Sequence, residues 1–466
     1  MANEKTKVSE KPSAYSPDYL DVLSKCEKVA KVQSLTLSTE DRLSTGLLGL
    51  DGILGGGITA GMYTFFGPEQ SAKTTAAITI AGASIHQDVG LRILWDAENS
   101  SGSSTDYISN IFNTLKVKTD VESVFGVKKD GKYFVKPQIY YRDEGEAEKY
   151  FDYLAALLRR LPNKRYEDKR WWFVYPRDKE HLAQFGSVMD KKMSSMNDAI
   201  YIPAKNGALQ GLIVVDSYPS LVPSEADEDD ASGALALQAR TFSQGLQRIK
   251  GKLRAKRFAI VGINQLRTAP MVRFGSPEYE PCGMSLKFYS DVRLRMYPHA
   301  LSAAPFNPKE GEDKGFESEE SIFGGKDKYR YIKATAHKNK LSVPGRFTWL
   351  RLWVEDHEGQ GRGYDPVFDT LWALHVTKQV EPMSSKKNIR LHPHGRDAMK
   401  KTISMTQFKQ LIIGTNEMKA EVWSYLGINK VIDLRAYLRK QMLTGQYEDL
   451  YIAARNSKPV KEEESE

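Results

Sequence analysis

The stretch Gly67-Pro68-Glu69-Gln70-Ser71-Ala72-Lys73-Thr74 puts a glycine, a lysine and a hydroxyl at the spacing of a phosphate-binding loop. Successive backbone N–H groups in such a loop form an anion nest, and the helix that follows adds its dipole. Lys73 would reach the β- and γ-phosphates of ATP, Thr74 would hold Mg²⁺, and Thr75 carries the chain into the helix. Ala72 departs from the pattern, which asks for glycine there. A methyl group fits if φ is negative, as in the first turn of a helix, so the expectation is altered affinity rather than lost binding. Asp216 ends an apolar run and is the natural second carboxylate of the magnesium shell, with Ser217 beside it, although a strand-end Asp also serves as a turn cap. Glu98, two residues past the strand end at Asp96, is placed to orient and activate an attacking water.

These side chains need a scaffold that brings them to one edge. Met62–Phe66, Leu91–Asp96, Gly211–Ser217 and Arg257–Gln265 are short, β-rich and apolar throughout, the signature of strands buried on both faces of a parallel sheet. Each ends in polar residues on its carboxyl side, where an open α/β sheet keeps its ligand crevice. Ser16-Pro17-Asp18 reads as the start of a short amphipathic helix running to about residue 33. Residues 164–208 are too long and too polar for a simple connection and predict a small inserted subdomain, and 300–328 an acidic mobile loop. The domain plan is an N-terminal oligomerisation segment (1–38), whose helix packs on a neighbouring subunit or on its own core, an ATPase core (39–376) carrying both insertions, a helical C-terminal domain (377–456) and an acidic tail (457–466).

The chain has 466 residues, 41% of them apolar, and a net charge of +8, which suits a polyanionic partner. Its two cysteines, Cys26 and Cys282, have neither disulfide-framework nor metal-ligand spacing. No apolar run is long enough for a membrane span and no leading signal is evident, so the expected setting is cytoplasmic, with no membrane partner.

Taken together, the stretches "LSTGLLGLDGILGGG" (Leu43–Gly57), "GPEQSAKTT", "WDAENS", "LIVVDS", "INQLRTAPMVRFGSPEYEPCGMSLKFYSDVRL" (Ile263–Leu294) and "KNKLSVP" (Lys338–Pro344) resemble the RecA family of recombinases, in particular a phage-encoded member. The resemblance implies a RecA-like P-loop ATPase core, a largely parallel twisted sheet flanked by helices, with an N-terminal helix and a small helical C-terminal domain. It implies a DNA-dependent ATPase that forms a helical filament on single-stranded DNA and exchanges strands with homologous double-stranded DNA in recombination, repair and recombination-dependent replication. A single-strand-binding protein and a loading mediator are the implied helpers, in a bacterial or phage-infected cytoplasm.

By the same resemblance Glu98 is similar to the catalytic glutamate and Gln265 to the glutamine that senses the γ-phosphate. Lys338 and Lys340 resemble lysines that reach ATP held by the adjacent subunit, and Tyr107 a residue stacked on adenine. The loop Arg267–Met284 is similar to a DNA-binding loop, with Arg267, Arg273, Phe274, Gly275, Ser276, Gly283 and Met284 as contacts. Arg240, Ser243, Gln244 and Arg248 match the helix before it, while Gln247 stands where arginine is common. Phe288 resembles an interface residue; on its own it reads as core. Pro223–Gly233 falls where a first DNA loop would, yet Asp227, Glu228, Asp229 and Asp230 are hostile to a phosphate backbone. Two other readings stay open: a helicase or other motor of the same fold, and a DNA-binding filament that no longer hydrolyses ATP.

Overall fold

The computed structural model describes residues 42–98, 105–115, 121–129, 132–196, 198–205, 207, 209–226, 231–268, 278–299, 329–353, 363–377, 379–381, 388–391 and 401–444. The expected N-terminal helix, the acidic run 227–230, the loop 300–328 and the acidic tail lie outside them.

Nine strands form the central sheet: β1 (Gly61–Gly67), β2 (Val89–Asp96), β3 (Tyr140–Arg142), β4 (Leu209–Asp216), β5 (Phe258–Gln265), β6 (Val292–His299), β7 (Tyr329–Asn339), β8 (Phe347–Trp353) and β9 (Gly363–Tyr364). Their spatial order is β9-β8-β7-β6-β1-β5-β4-β2-β3. The six strands from β6 to β3 run parallel, and β7, β8 and β9 continue antiparallel beyond them. The four strands expected from apolar runs are the central four of that parallel block. β1 and β4 are buried along their whole length, and β5 is buried except at Gln265.

Helices cover both faces, as a parallel sheet requires. Tyr63, Phe65, Leu94, Val214 and Val261 pack on one side with α2 (Lys73–Ala83) and α3 (Thr105–Thr114). The alternate residues Met62, Ile93, Ile213 and Ile260 pack on the other with α4 (Ala147–Arg160), α5 (Ala231–Ala255) and α6 (Gly283–Tyr289). In α5 the buried stripe is Phe242, Leu246, Ile249 and Leu253, spaced for one face of a helix, which leaves Arg240, Ser243, Gln244, Gln247 and Arg248 on the exposed face.

Between α4 and β4 the chain makes a separate antiparallel sheet of Asn163–Glu167, Arg170–Pro176 and Ala199–Pro203, with its own small core of Trp172, Val174, Met193 and Tyr201. A third apolar core joins α7 (Pro366–Val376) to α8 (Met405–Ile413), α9 (Asn416–Tyr425) and α10 (Leu434–Thr444), with Trp423 fully enclosed. Leu48 of a short helix α1 (Leu48–Ile53) enters this core. Arg435 and Arg439 of α10 pair with buried Asp369 and Asp51 and fasten the C-terminal helices to it. No helix among the described residues is long and apolar enough to cross a membrane.

Candidate nucleotide and DNA site

The phosphate loop runs from the end of β1 into α2, at the carboxyl edge of the sheet. A Cβ at Gly67 would lie 2.0 Å from the Met296 carbonyl oxygen on neighbouring β6, so only glycine fits. Gly67→Ala is expected to destabilise the fold by about 1–3 kcal/mol or more through overpacking and to disorder the loop. Thermal melting and nucleotide titration check this, and wild-type values in both would show that β6 can yield. The Lys73 ammonium donates to the Pro68 carbonyl at 2.6 Å and to the Ser71 hydroxyl at 3.0 Å. Burial pushes its pKa down to about 8, against the pull of Asp216, Glu98 and Glu69.

Ala72 does not take the negative φ expected of it. It sits in the left-handed region, with φ 58° and ψ 28°, as the cap residue before α2, and Gln70 is left-handed as well at φ 57°. The cause is the nest: turning successive N–H groups toward one anion needs left-handed residues in the loop. For alanine that conformation costs about 1–2 kcal/mol. The Ala72 carbonyl accepts the N–H of Ala76 at 3.0 Å and the hydroxyl of Tyr364 at 2.9 Å. Tyr364 lies far along the chain, and nothing in its sequence context reveals this contact.

Parallel register sets Asp96 level with Asp216 and Gly67 level with Gln265. Asp216 is buried, and the Thr74 side chain hydrogen-bonds to it. Burial raises its pKa to about 7; Glu98 and Asp96 add to the rise, and Thr74 and Lys73 oppose it. Its Oδ2 has no hydrogen-bond partner among the described residues. A buried, unsatisfied carboxylate oxygen beside a threonine hydroxyl fits Mg²⁺, a hard ion that keeps several waters and takes one or two carboxylates together with substrate phosphates. Among the described residues no group of three or more His, Cys, Asp or Glu could hold a metal without such a substrate.

Glu98 is exposed at the same edge, and one of its oxygens collects three donors from different elements: Ser217 Oγ at 2.5 Å, Ser220 Oγ at 3.3 Å and Gln265 Nε2 at 3.3 Å. The Tyr107 hydroxyl meets Thr75 Oγ1 at 2.5 Å, which sets its ring against the first turn of α2. The structure thus brings Lys73, Thr74, Asp216, Glu98 and Gln265 to one place, with Tyr107 at its flank.

Lys338 and Lys340 are not there. Lys338 pairs with Arg293 on β6, which is level with Thr64 of β1, and the Lys340 N–H bonds to Asp291, whose own N–H bonds to Met62. Lys338 is therefore about 10 Å short of Gly67 along the strands and Lys340 about 16 Å, with two strand spacings, about 10 Å, still to cross. That is farther than a lysine side chain spans. The Lys338 ammonium instead donates to the carbonyls of Lys287 and Phe288 at the end of α6, at 2.7 and 2.9 Å.

Among the residues expected to contact DNA, Arg267 is exposed, and Arg267–Thr268 pairs antiparallel with Glu278–Tyr279. Glu278 is held by Arg295 at 2.7 Å, and Glu280 by Arg293 and by Lys287. Arg293 also lies over the Phe66 ring at 4.4 Å. Arg273, Phe274, Gly275 and Ser276 lie outside the described residues. Gly283 is left-handed, and a Cβ there would press on Ala239 of α5 at 2.8 Å. Met284 (74% exposed) and Phe288 (71%) stand one turn apart on α6, so Phe288 is surface and not core. Arg248 forms an ion pair with Asp152 of α4 at 2.8 Å.

Residues 196–302 match the model of the RecA N-terminal domain, a span that includes β4, α5, β5, the loop base, α6 and β6. The chain is 28% identical over 385 residues to protein RecA of Thermus aquaticus, covering 82% of this chain and 84% of that one. It is 29% identical over 283 residues to protein RecA of Clostridioides difficile (59% and 61%) and 34% identical over 143 residues to that of Bacillus subtilis (30% and 35%). In those last two alignments the match spans less than two thirds of the relative's length. A crystal structure of the RadB recombinase aligns over 69% of this chain and 98% of its own at 14% identity, with a TM-score of 0.36, too loose a superposition to argue from. In fold and in the sequence of residues 196–302, the chain is RecA-like.

Proposed function

We propose that this protein is an ATP-dependent DNA recombinase, a phage-encoded one, which polymerises on single-stranded DNA and exchanges strands with homologous duplex in a bacterial or phage-infected cytoplasm. The observation that supports the reading is the distance of Lys338 and Lys340 from the phosphate loop of their own chain. Lys73, Thr74, Asp216, Glu98 and Gln265 stand at the carboxyl edge, while Lys338 and Lys340 stand too far back to reach the phosphates of their own chain. A site completed by the next subunit is a heterologous contact, and repetition of such a contact builds a helix rather than a closed pair.

Within the site the roles follow from chemistry. The loop N–H groups and Lys73 bind the phosphates; Thr74 and Asp216 would hold Mg²⁺, which when bound would supply neutralisation of charge on the phosphate oxygens. Glu98 accepts the proton of the attacking water, held in place by Ser217, Ser220 and Gln265. Because Gln265 ends β5 immediately before the ladder at Arg267, a change at the γ-phosphate passes directly to the base of the DNA loop. Arg267 and Arg273, with the exposed face of α5, supply phosphate contacts, Phe274 stacks among bases, and Gly275, Ser276, Gly283 and Met284 are the further DNA contacts.

Electron microscopy on single-stranded DNA with a non-hydrolysable ATP analogue tests the assembly. Helical filaments are expected; rings would indicate a motor, and isolated particles would refute polymerisation. Turnover stimulated by single-stranded DNA separates a working enzyme from a filament that only binds.

A further inference from the structure

We infer that Tyr364 is a positioning residue that takes over the part glycine usually plays in the phosphate loop, holding Ala72 in its left-handed conformation so that the nest is formed before nucleotide arrives. The inference rests on reading residues 67–74 as a nucleotide site. Its starting point is an incompatibility: the loop has the left-handed turn that a nest needs, yet an alanine stands at that turn. Something outside the loop must offset the preference of alanine for negative φ.

Tyr364 is built to do so. It is 3% exposed and its hydroxyl donates to the Ala72 carbonyl at 2.9 Å; that oxygen also receives the first helical N–H, from Ala76. With both lone pairs engaged, the peptide between Ala72 and Lys73 cannot rotate without giving up a part-buried hydrogen bond, and it is this peptide whose N–H begins the helix. The tyrosine is itself immobile. Its backbone pairs with Leu352 at the sheet edge, and the next residue, Asp365, caps α7 through the N–H groups of Val367 and Phe368 while forming a buried ion pair with Arg351. Tyr107, whose hydroxyl meets Thr75, braces the following turn of the loop from α3.

The test is a double-mutant cycle on the full chain with Mg-ADP as probe. Tyr364→Phe removes only the hydroxyl and should weaken Mg-ADP binding about five- to tenfold, the scale of one buried hydrogen bond. Ala72→Gly makes the left-handed turn intrinsic to the loop, so Tyr364→Phe in that background should cost about twofold or less. Equal losses in both backgrounds would refute the inference, because the hydroxyl would then act independently of residue 72. A melting temperature lowered by the same large amount in both backgrounds would refute it as well and make Tyr364 a plain core residue. If the unaltered chain binds no Mg-ADP, the nucleotide-site reading itself fails, and that outcome is distinct from additivity in a chain that binds.

Discussion

Glu98→Gln should leave Mg-ATP and DNA binding intact and slow DNA-stimulated turnover by about 100-fold or more, the usual contribution of a positioned general base. The substitution keeps the shape of the side chain and an oxygen able to accept from Ser217, Ser220 and Gln265, the three donors that hold the carboxylate at the sheet edge. What it removes is the negative charge and the capacity to take a proton. Because Glu98 is exposed and makes no hydrogen bond to the phosphate loop among the described residues, nucleotide affinity has no reason to fall. Single-turnover hydrolysis and ADP titration measured together decide it. Affinity lost in step with rate would make Glu98 a binding group.

Lys73→Ala and Lys340→Ala should each be nearly inactive alone and should regain activity when mixed. Lys73 lies inside the phosphate loop, whereas Lys340 is about 16 Å behind it along the sheet. If each site joins the loop of one chain to the lysines of the next, a random one-to-one copolymer contains roughly a quarter of interfaces in which both halves are intact. Turnover on single-stranded DNA should therefore reappear at a substantial fraction of that of the unaltered protein, provided neighbouring sites act independently. A copolymer, demonstrated as such, that stays as inactive as its components would reject the action of Lys340 across the interface. Titrating unaltered protein into each mutant then shows whether hydrolysis needs long intact runs.

β1, β4 and β5 are legible because burial on both faces leaves little room for polar residues, so they read as nearly continuous apolar runs; β2 reads so only in its buried second half. Their polar carboxyl ends, Asp216, Gln265 and the residues after Asp96, follow from the same logic, and the structure gathers them as expected. The last parallel strand is harder to see. β6 starts with alternating buried and half-buried positions and ends partly exposed, a weaker signal that becomes readable only once its neighbours are known. Ala72 escapes for a different reason: a sequence names the residue but not the sign of its φ, and the loop imposes a sign that alanine disfavours. Tyr364 is further out of reach. "YDPVF" advertises a capped helix start, and nothing local says that the hydroxyl ahead of it meets a carbonyl on the phosphate loop. Phe288 shows the limit of residue type as a guide to burial, since an aromatic on a short helix is as compatible with surface as with core.

The short ladder that pairs Arg267–Thr268 with Glu278–Tyr279 also has a thermodynamic side. Whatever path the chain takes between Thr268 and Glu278, its two ends are tied about 5 Å apart. Bringing loop ends together costs entropy that grows as about 3/2 RT times the logarithm of loop length, and here that loss is incurred when the domain folds, not when a strand is bound. Under the proposed function that cost is not incurred a second time when DNA binds, so each phosphate or stacking contact made there would yield more net affinity than in a loop hung from free ends.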